Sequence, residues 1–343
     1  MSLLLSPYEE NGIFLKNRVV MPPMCMYKAQ SDGRILPFHL VHYTTRAMGG
    51  VGLIIVEATA VEARGRISDT DLGLWDDEQV AGHQQLVHLC HEYGAKMAVQ
   101  LAHAGRKSTC ASSTPVAPSP LSFSDKTGYK LPHELSLDEI EEIKKHFVQA
   151  ALRATYAGYD LLELHAAHGY LLCEFLSPLT NQRTDKYGGS LDNRCALIVE
   201  VAQAILDATE TVPLSVRISA DEWMDNGWNI EESIYLSKKL QSIGVAMIHV
   251  SAGGNHETQT HIPTIEPLYQ AAYAKVIREN AGIQTIAVGL ITTALEGETL
   301  LQKDFCDLVA YGRELLRNPN FVFFAAKEEG KKALIEPSYL RAF

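Results

Sequence analysis

The chain has 343 residues, 46% hydrophobic and 21% charged, an ordinary globular composition that argues against disorder. Its formal net charge of −11 disfavours polyanionic partners, nucleic acid above all. No window approaches the roughly 18 to 20 continuous apolar residues of a membrane span, and residues 1–7 lack a basic start followed by an apolar stretch, so a soluble, cytoplasmic protein with no membrane partner is expected.

In chain order, eight short aliphatic or β-branched runs read as buried strands: RVVMP (18–22), GLIIVEA (52–58), KMAVQLAH (96–103), YDLLELHA (159–166), PLSVRIS (213–219), AMIHVSAG (246–253), QTIAVGLI (284–291) and DLVAYGR (307–313). Helix-period segments lie between them at 39–49, 77–94, 135–158, 190–209, 229–244, 267–282 and 292–302, with a last one near 319–329. Ser136-x-x-Glu139 reads as a capping box, and Gly94, Gly158, Gly244 and Gly282 stand at helix ends. This alternation predicts an α/β fold, a single (β/α)8 TIM barrel over residues 1–343. No G-x-G-x-x-G follows a strand, which counts against an open dinucleotide-binding sheet. Residues 107–134, rich in Ser, Thr and Pro, interrupt the rhythm after the third strand. They read as a long loop over the active-site face, a lid or wall of a site, with a bland surface excursion as the alternative.

Six cysteines are scattered with no C-x-x-C pair, so neither a disulfide scaffold nor a zinc knuckle is signalled. Cys25 stands apart because it lies in a Pro-Pro-Met-Cys turn straight after the first strand.

Barrels of this kind place chemistry at the C-terminal ends of their strands. The polar residues there are Cys25 and Tyr27, then Glu57-Ala58-Thr59, Gln100 and His103, then His165, His168 and Tyr170, then Arg217, Ser251, Gly289 and finally Gly312-Arg313. Glycines after the last two strands suit a phosphate held by backbone amides, or tight turning alone. His165 and His168 can be metal ligands with His103 as a third, a structural pair, or donors to a carbonyl oxygen on which negative charge develops. The donor reading leads, because neither H-E-x-x-H nor a second His/carboxylate cluster is present, and Tyr170 beside such donors can supply a proton to an enolate carbon. Arg217 in an apolar strand needs an anion or an electron-rich acceptor. With Gln100 it suits the edge of a heterocyclic cofactor, and a salt bridge to a core carboxylate is the alternative.

The stretches LKNRVVMPPMCMY (15–27), GLIIVEATAV (52–61), QLAHAGRK (100–107), ELHAAHGYLLCEFLSPLTNQRTDKYGGSLDNR (163–194), VRIS (216–219) and GRELLRNP (312–319) resemble the old yellow enzyme family, NADH:flavin oxidoreductases. The Cys-x-Tyr after the first strand resembles its short, thermophilic-like ene-reductase branch. The resemblance implies a barrel that binds FMN non-covalently, takes hydride from NADPH or NADH, and reduces an electron-poor alkene or a nitro compound by a ping-pong mechanism. It implies cofactor contacts from Pro22, Pro23, Met24, Cys25, Ala58, Gln100 and Arg217 at the ring, and from Gly289, Gly312 and Arg313 at the phosphate. Tyr27, His165, His168 and Tyr170 match substrate-side residues, the histidines binding the activating oxygen and Tyr170 donating the proton. Cys25 matches a residue that tunes the ring, and Arg106 and Lys107 lie in a matched motif near the pocket.

Pro22 stands where relatives often carry a small hydroxyl residue, which removes one contact to the cofactor. Arg341, in the tail 331–343, resembles an arginine that enters a neighbouring subunit's site, and implies a homodimer or homotetramer. Two other readings compete: a flavin-binding redox sensor with a reactive Cys25, and another FMN barrel such as a dihydrouridine synthase.

Overall fold

Residues 2–126 and 128–343 are described by a computed structural model. The eight apolar runs form the strands β1 Val19–Met21, β2 Leu53–Ala60, β3 Lys96–Ala102, β4 Leu161–Ala166, β5 Leu214–Ser219, β6 Met247–Ser251, β7 Gln284–Ala287 and β8 Leu308–Ala310. Each pairs in parallel with the next. β8 returns to β1, with Val309 opposite Val19 and Ala310 opposite Val20, and the barrel closes. Apart from Lys96 and Gln284 at strand starts, every strand residue is buried, which is why the strands read as near-continuous apolar runs.

The helices α1 Pro37–Met48, α2 Val80–His91, α3 Leu137–Tyr156, α4 Leu191–Thr209, α5 Ile230–Ser242, α6 Ala271–Ala281, α7 Ala294–Gln302 and α8 Phe321–Glu328 follow the strands in turn. The capping box at α3 forms: Ser136 Oγ accepts from the Glu139 amide at 3.2 Å, and Glu139 Oε2 accepts from the Ser136 amide at 2.9 Å. Such a cap stabilises by about 1 kcal/mol. One stripe of α3, including Ile140, Ile143, Phe147 and Ala154, is buried in the shell between helices and strands.

Parity along the strands decides which residues face the barrel interior, and successive pleats stack there in layers. Val20, Leu53, Ile55, Ala98, Leu161, Met247, Ile286 and Leu308 form an apolar floor. One pleat higher, at the same parity, the strands carry Gln100, Glu163, Ser215 and His249, all buried. Beneath the floor an antiparallel hairpin, Tyr8–Glu10 with Ile13–Leu15, closes the barrel bottom. Asn11 Nδ2 donates to the Ala246 carbonyl at 3.0 Å there. The hairpin is absent from the sequence pattern, because two three-residue strands carry too little periodicity to register.

β7 and β8 are shorter than expected, ending at Ala287 and Ala310 rather than near 291 and 313. Gly289, at φ +133°, leaves the extended region, which ends β7 before it. The segment 107–134 contains its own parallel contact, Val116–Ala117 with His133–Glu134. Arg183 ties it down: its Nη1 donates to the Pro118 carbonyl within the segment at 3.2 Å and to the Leu135 carbonyl just beyond it at 2.5 Å. Among the described residues no helix is long and apolar enough to cross a membrane.

Candidate active site

The upper polar layer is built around a buried acid. Glu163 Oε1 accepts from Gln100 Nε2 at 2.8 Å, and Oε2 meets His249 Nδ1 at 2.8 Å and Ser215 Oγ at 3.4 Å. Arg217 is flanked by His165 on β4 and His249 on β6 in the register. Its guanidinium makes no hydrogen bond or ion pair with the described residues, and its buried Nε has no partner although the residue is only 7% exposed. The salt bridge weighed above therefore does not form, because Glu163 is committed to His249 and Gln100. A buried cation left without a partner marks the place of an electron-rich or anionic ligand edge.

Arg217 borders a cavity of about 360 Å³, whose other walls include Ser251, Gln270, Gly289, Gly312 and Arg313. A volume of this order suits a cofactor. At Gly289 a Cβ would stand 3.1 Å from the Gln270 Cβ on a backbone that L side chains rarely adopt, so glycine is required there. A Cβ on Gly312 would lie 3.5 Å from Met24 Sδ and 3.6 Å from Pro22 Cγ, which places the first-strand loop against the end of β8. No side chain caps the short helix Arg313–Arg317 that begins after Gly312, so its first amides are left for an outside acceptor.

Glu57 organises the loop after β1. Its Oε2 accepts from the Met26 amide at 2.7 Å and its Oε1 from Tyr43 Oη at 3.1 Å, while its own amide donates to Tyr43 Oη at 3.0 Å. Burial pushes the Glu57 carboxyl up to about 7. The Ala58 backbone lies within hydrogen-bonding reach of the Cys25 thiol, and burial, then Asp71 and Glu57, push that thiol above its usual range. Tyr27 follows at φ +54° with 48% of its surface exposed.

At the end of β4 the rings of His165 and His168 stand 5.4 Å apart and nearly perpendicular, with Tyr170 4.9 Å from His165. The Ala167 amide donates to His165 Nδ1 at 3.2 Å. An amide can only donate, so the neutral ring carries its proton on Nε2. His168 sits at φ +59°, with its amide bound to Ser219 Oγ at 2.9 Å and its Nε2 at 2.7 Å from Ser251 Oγ. Burial first, and the Arg217 charge second, hold both imidazoles well below the usual histidine range, so both are neutral. Burial also pushes the Tyr170 phenol well above its ordinary value, so it keeps its proton. Lys107 Nζ lies 5.2 Å from the Tyr170 ring centre and 4.5 Å from that of Phe123 in the long loop.

His103 turns away from the other two histidines: its Nε2 pairs with Glu62 Oε1 at 2.7 Å and its Nδ1 accepts from the Gly105 amide. The metal alternative thus lacks its third ligand, and among the described residues no group of three or more His, Cys, Asp or Glu could hold a metal. Arg341 lies exposed on the terminal turn Pro337–Ala342 and is not among the residues around the cavity. Glu163, His249, Ser219 and Gln270 went unnoticed in the sequence. An acid at Glu163, flanked by Leu162 and Leu164 in the LLELHA run, is as much a signal as Arg217.

A sequence profile of the NADH:flavin oxidoreductase / NADH oxidase family matches residues 4–332. The chain is 46% identical over 340 residues to an NADPH dehydrogenase of Bacillus cytotoxicus, covering 99% of this chain and 96% of that one. Among solved structures, morphinone reductase superimposes with a TM-score of 0.82 at 28% identity, covering 96% of this chain and 90% of that one. An old yellow enzyme homologue from Zymomonas mobilis gives 0.81 at 26% identity, covering 95% and 92%. The cavity, lined by an unpartnered guanidinium and by glycines beside uncapped amides, fits a cofactor that carries a polar ring edge and a phosphate. The chain is therefore an FMN oxidoreductase and belongs to the NADH:flavin oxidoreductase / NADH oxidase family.

Proposed function

We propose that the protein is an ene-reductase that takes hydride from NADPH and delivers it to the activated C=C of α,β-unsaturated carbonyl compounds, and to nitro compounds, bound FMN supplying the hydride relay of a ping-pong cycle. The observation that carries the reading is the convergence of two neutral imidazoles and a protonated phenol, with ring centres about 5 Å apart, close to the cavity that Arg217 and His168 border. His165 Nε2–H and the His168 ring hold the substrate oxygen and stabilise the negative charge that grows on it. Tyr170 gives its proton to the α-carbon, and Tyr27 covers the substrate from the strand-one side.

Around the cofactor, Arg217 and Gln100 meet the ring edge, and Pro22, Pro23, Met24, Cys25 and Ala58 line it. Gly289, Gly312 and Arg313 hold the phosphate. The loop 107–134 forms one wall, consistent with Phe123 over Lys107. The tail 331–343 carries Arg341 toward a neighbouring subunit in a homodimer or homotetramer, within the cytoplasm where NADPH is supplied. The NADPH assignment draws on the Bacillus cytotoxicus relative's name, and on a morphinone reductase structure solved in complex with tetrahydroNAD. The protonated Cys25 thiol weighs against a redox sensor, which needs a thiolate.

The test is anaerobic turnover of the FMN-loaded protein with NADPH and 2-cyclohexenone. Parallel initial-rate plots are expected, with a loss of about 10²–10³ in kcat on removing one oxygen donor. Undiminished turnover in the His165→Ala, His168→Ala double variant overturns the assignment.

A further inference from the structure

We infer that Glu163 is a positioning residue that decides which end of the Gln100 amide the FMN site meets, turning the Gln100 carbonyl oxygen toward the cofactor as an acceptor. The inference rests on the cofactor role proposed for Gln100. Glu163 is wholly buried and Gln100 is 2% exposed, and the two are direct cross-strand partners on β3 and β4. An ionised carboxylate only accepts hydrogen bonds, so the end of Gln100 that faces it, at 2.8 Å, is the NH₂ group. Oε1 of Gln100 is thereby left as the free acceptor, and no described residue donates to it. On the neighbouring strand stands Arg217, which only donates and has no partner among the described residues. The floor of the site thus presents an acceptor and donors in fixed places. The pyrimidine edge of an isoalloxazine, an N–H set between two carbonyl groups, calls for that combination.

His249 completes the device. Its Nδ1 holds the second Glu163 oxygen at 2.8 Å, so neither carboxylate oxygen is left to turn. Burial alone would push Glu163 up, but His249, Arg217 and Gln100 together bring it below its ordinary value, so the acid is ionised at working pH. The pair therefore sets the polarity of Gln100 and offsets the Arg217 charge without contacting the cavity.

The test compares Glu163→Gln, Gln100→Leu and the double variant, reading the FMN dissociation constant by fluorescence titration and the visible absorption band of the loaded protein. A glutamine at 163 can accept or donate, so Gln100 loses its fixed orientation. FMN binding is expected to weaken about tenfold to a hundredfold with an altered absorption band, and the double variant is expected to bind no more weakly than Gln100→Leu alone. The swapped pair Gln100→Glu, Glu163→Gln, which restores a donor facing an acceptor, is expected to regain part of the loss. Glu163→Asp, which keeps the charge but withdraws the carboxylate from Gln100, should shift the constant in the same direction if Glu163→Gln does not fold. Wild-type affinity and spectrum in the Glu163 variants, or losses that multiply in the double variant, overturn the inference. Unchanged affinity in Gln100→Leu overturns the underlying reading of Gln100, and this inference with it.

Discussion

Lys107 donates from Nζ to the backbone carbonyl of His168 at 2.9 Å and to that of Gly254 at 3.0 Å. One ammonium thereby joins the start of the long loop, the end of β4 and the loop after β6. His168 is held at φ +59°, a conformation that costs a non-glycine residue about 1 to 3 kcal/mol, so something must over-determine it. Burial lowers Lys107 to about 8, which leaves it cationic at neutral pH. Lys107→Met keeps the stem and removes the charge. We expect unfolding free energy to fall by about 2 kcal/mol and kcat/KM to drop at least tenfold, measured by urea denaturation and steady-state assay; a variant with both values unchanged would show that Lys107 does not hold the histidine.

Tyr170 is placed by its position as N-cap of the short helix Leu171–Leu176, and it stays protonated through burial. Tyr170→Phe should cut the alkene half-reaction by about 10²–10⁴ while leaving reduction of the enzyme by NADPH unchanged. Stopped-flow measurement of the two halves separates them. An equal loss in both would assign the phenol to packing instead of proton transfer.

His165 donates from Nε2 as a neutral ring, since the Ala167 amide occupies Nδ1 and its pKa lies well below 6.5. Substrate binding through it should be flat between about pH 6 and 8, where an unperturbed histidine titrates. His165→Asn keeps a donor, and we expect it to retain activity within about tenfold where His165→Ala loses about 10²–10³. A step in KM centred near the ordinary histidine value, abolished in His165→Asn, would show that the ring works as a cation.

Much of this arrangement was legible because the strands alternate. In ELHA, SVRIS and IHVS the apolar residues Leu164, Val216, Ile218, Ile248 and Val250 face the helices. Their neighbours His165, Arg217 and Ser251 share the opposite parity and therefore the interior. The same rule points to Glu163 and His249, which lie one pleat below the strand ends where barrels of this kind place their chemistry. The Gln270 contact to Ser251, at 3.3 Å, was out of reach, since it joins a strand end to a residue 19 positions later that no local pattern marks. The bottom hairpin was hidden for a different reason: it is held by side chains of the barrel floor, not by a periodicity of its own. Glu57 was noticed at its strand end, but its grip on the Met26 amide depends on how the loop after β1 folds back.

The glycines separate two roles that the sequence could not. Gly289→Ala forces a side chain onto φ +133° and to within 3.1 Å of the Gln270 Cβ. It should destabilise the apoprotein by about 1 to 3 kcal/mol and weaken FMN binding. Gly312→Ala meets Met24 and Pro22 only at 3.5 and 3.6 Å, ordinary contact distances, so the apoprotein should keep its stability within about 0.5 kcal/mol. Thermal denaturation with and without FMN distinguishes the pair, and equal apoprotein losses would contradict the steric argument.

Glu174 gives the protein a pH-dependent stability independent of catalysis. It is fully buried, with Oε1 accepting from the Arg106 amide at 2.8 Å and Oε2 lacking a partner among the described residues. Burial pushes its carboxyl from 4.5 up to about 8, against the pull of Arg106 and Lys107. Between those two values the folded state holds a proton that the unfolded chain has released, so the folded state binds more protons and stability must fall as pH rises. The contribution is whole below about 4.5, declines by at most about 1.4 kcal/mol per pH unit, and is lost as pH passes through about 8. Glu174→Gln stays neutral throughout. Urea unfolding at intervals from about pH 5 to 8 should therefore show the variant gaining steadily on the wild type as pH rises, and two parallel curves would mean that Glu174 is already ionised in the folded protein.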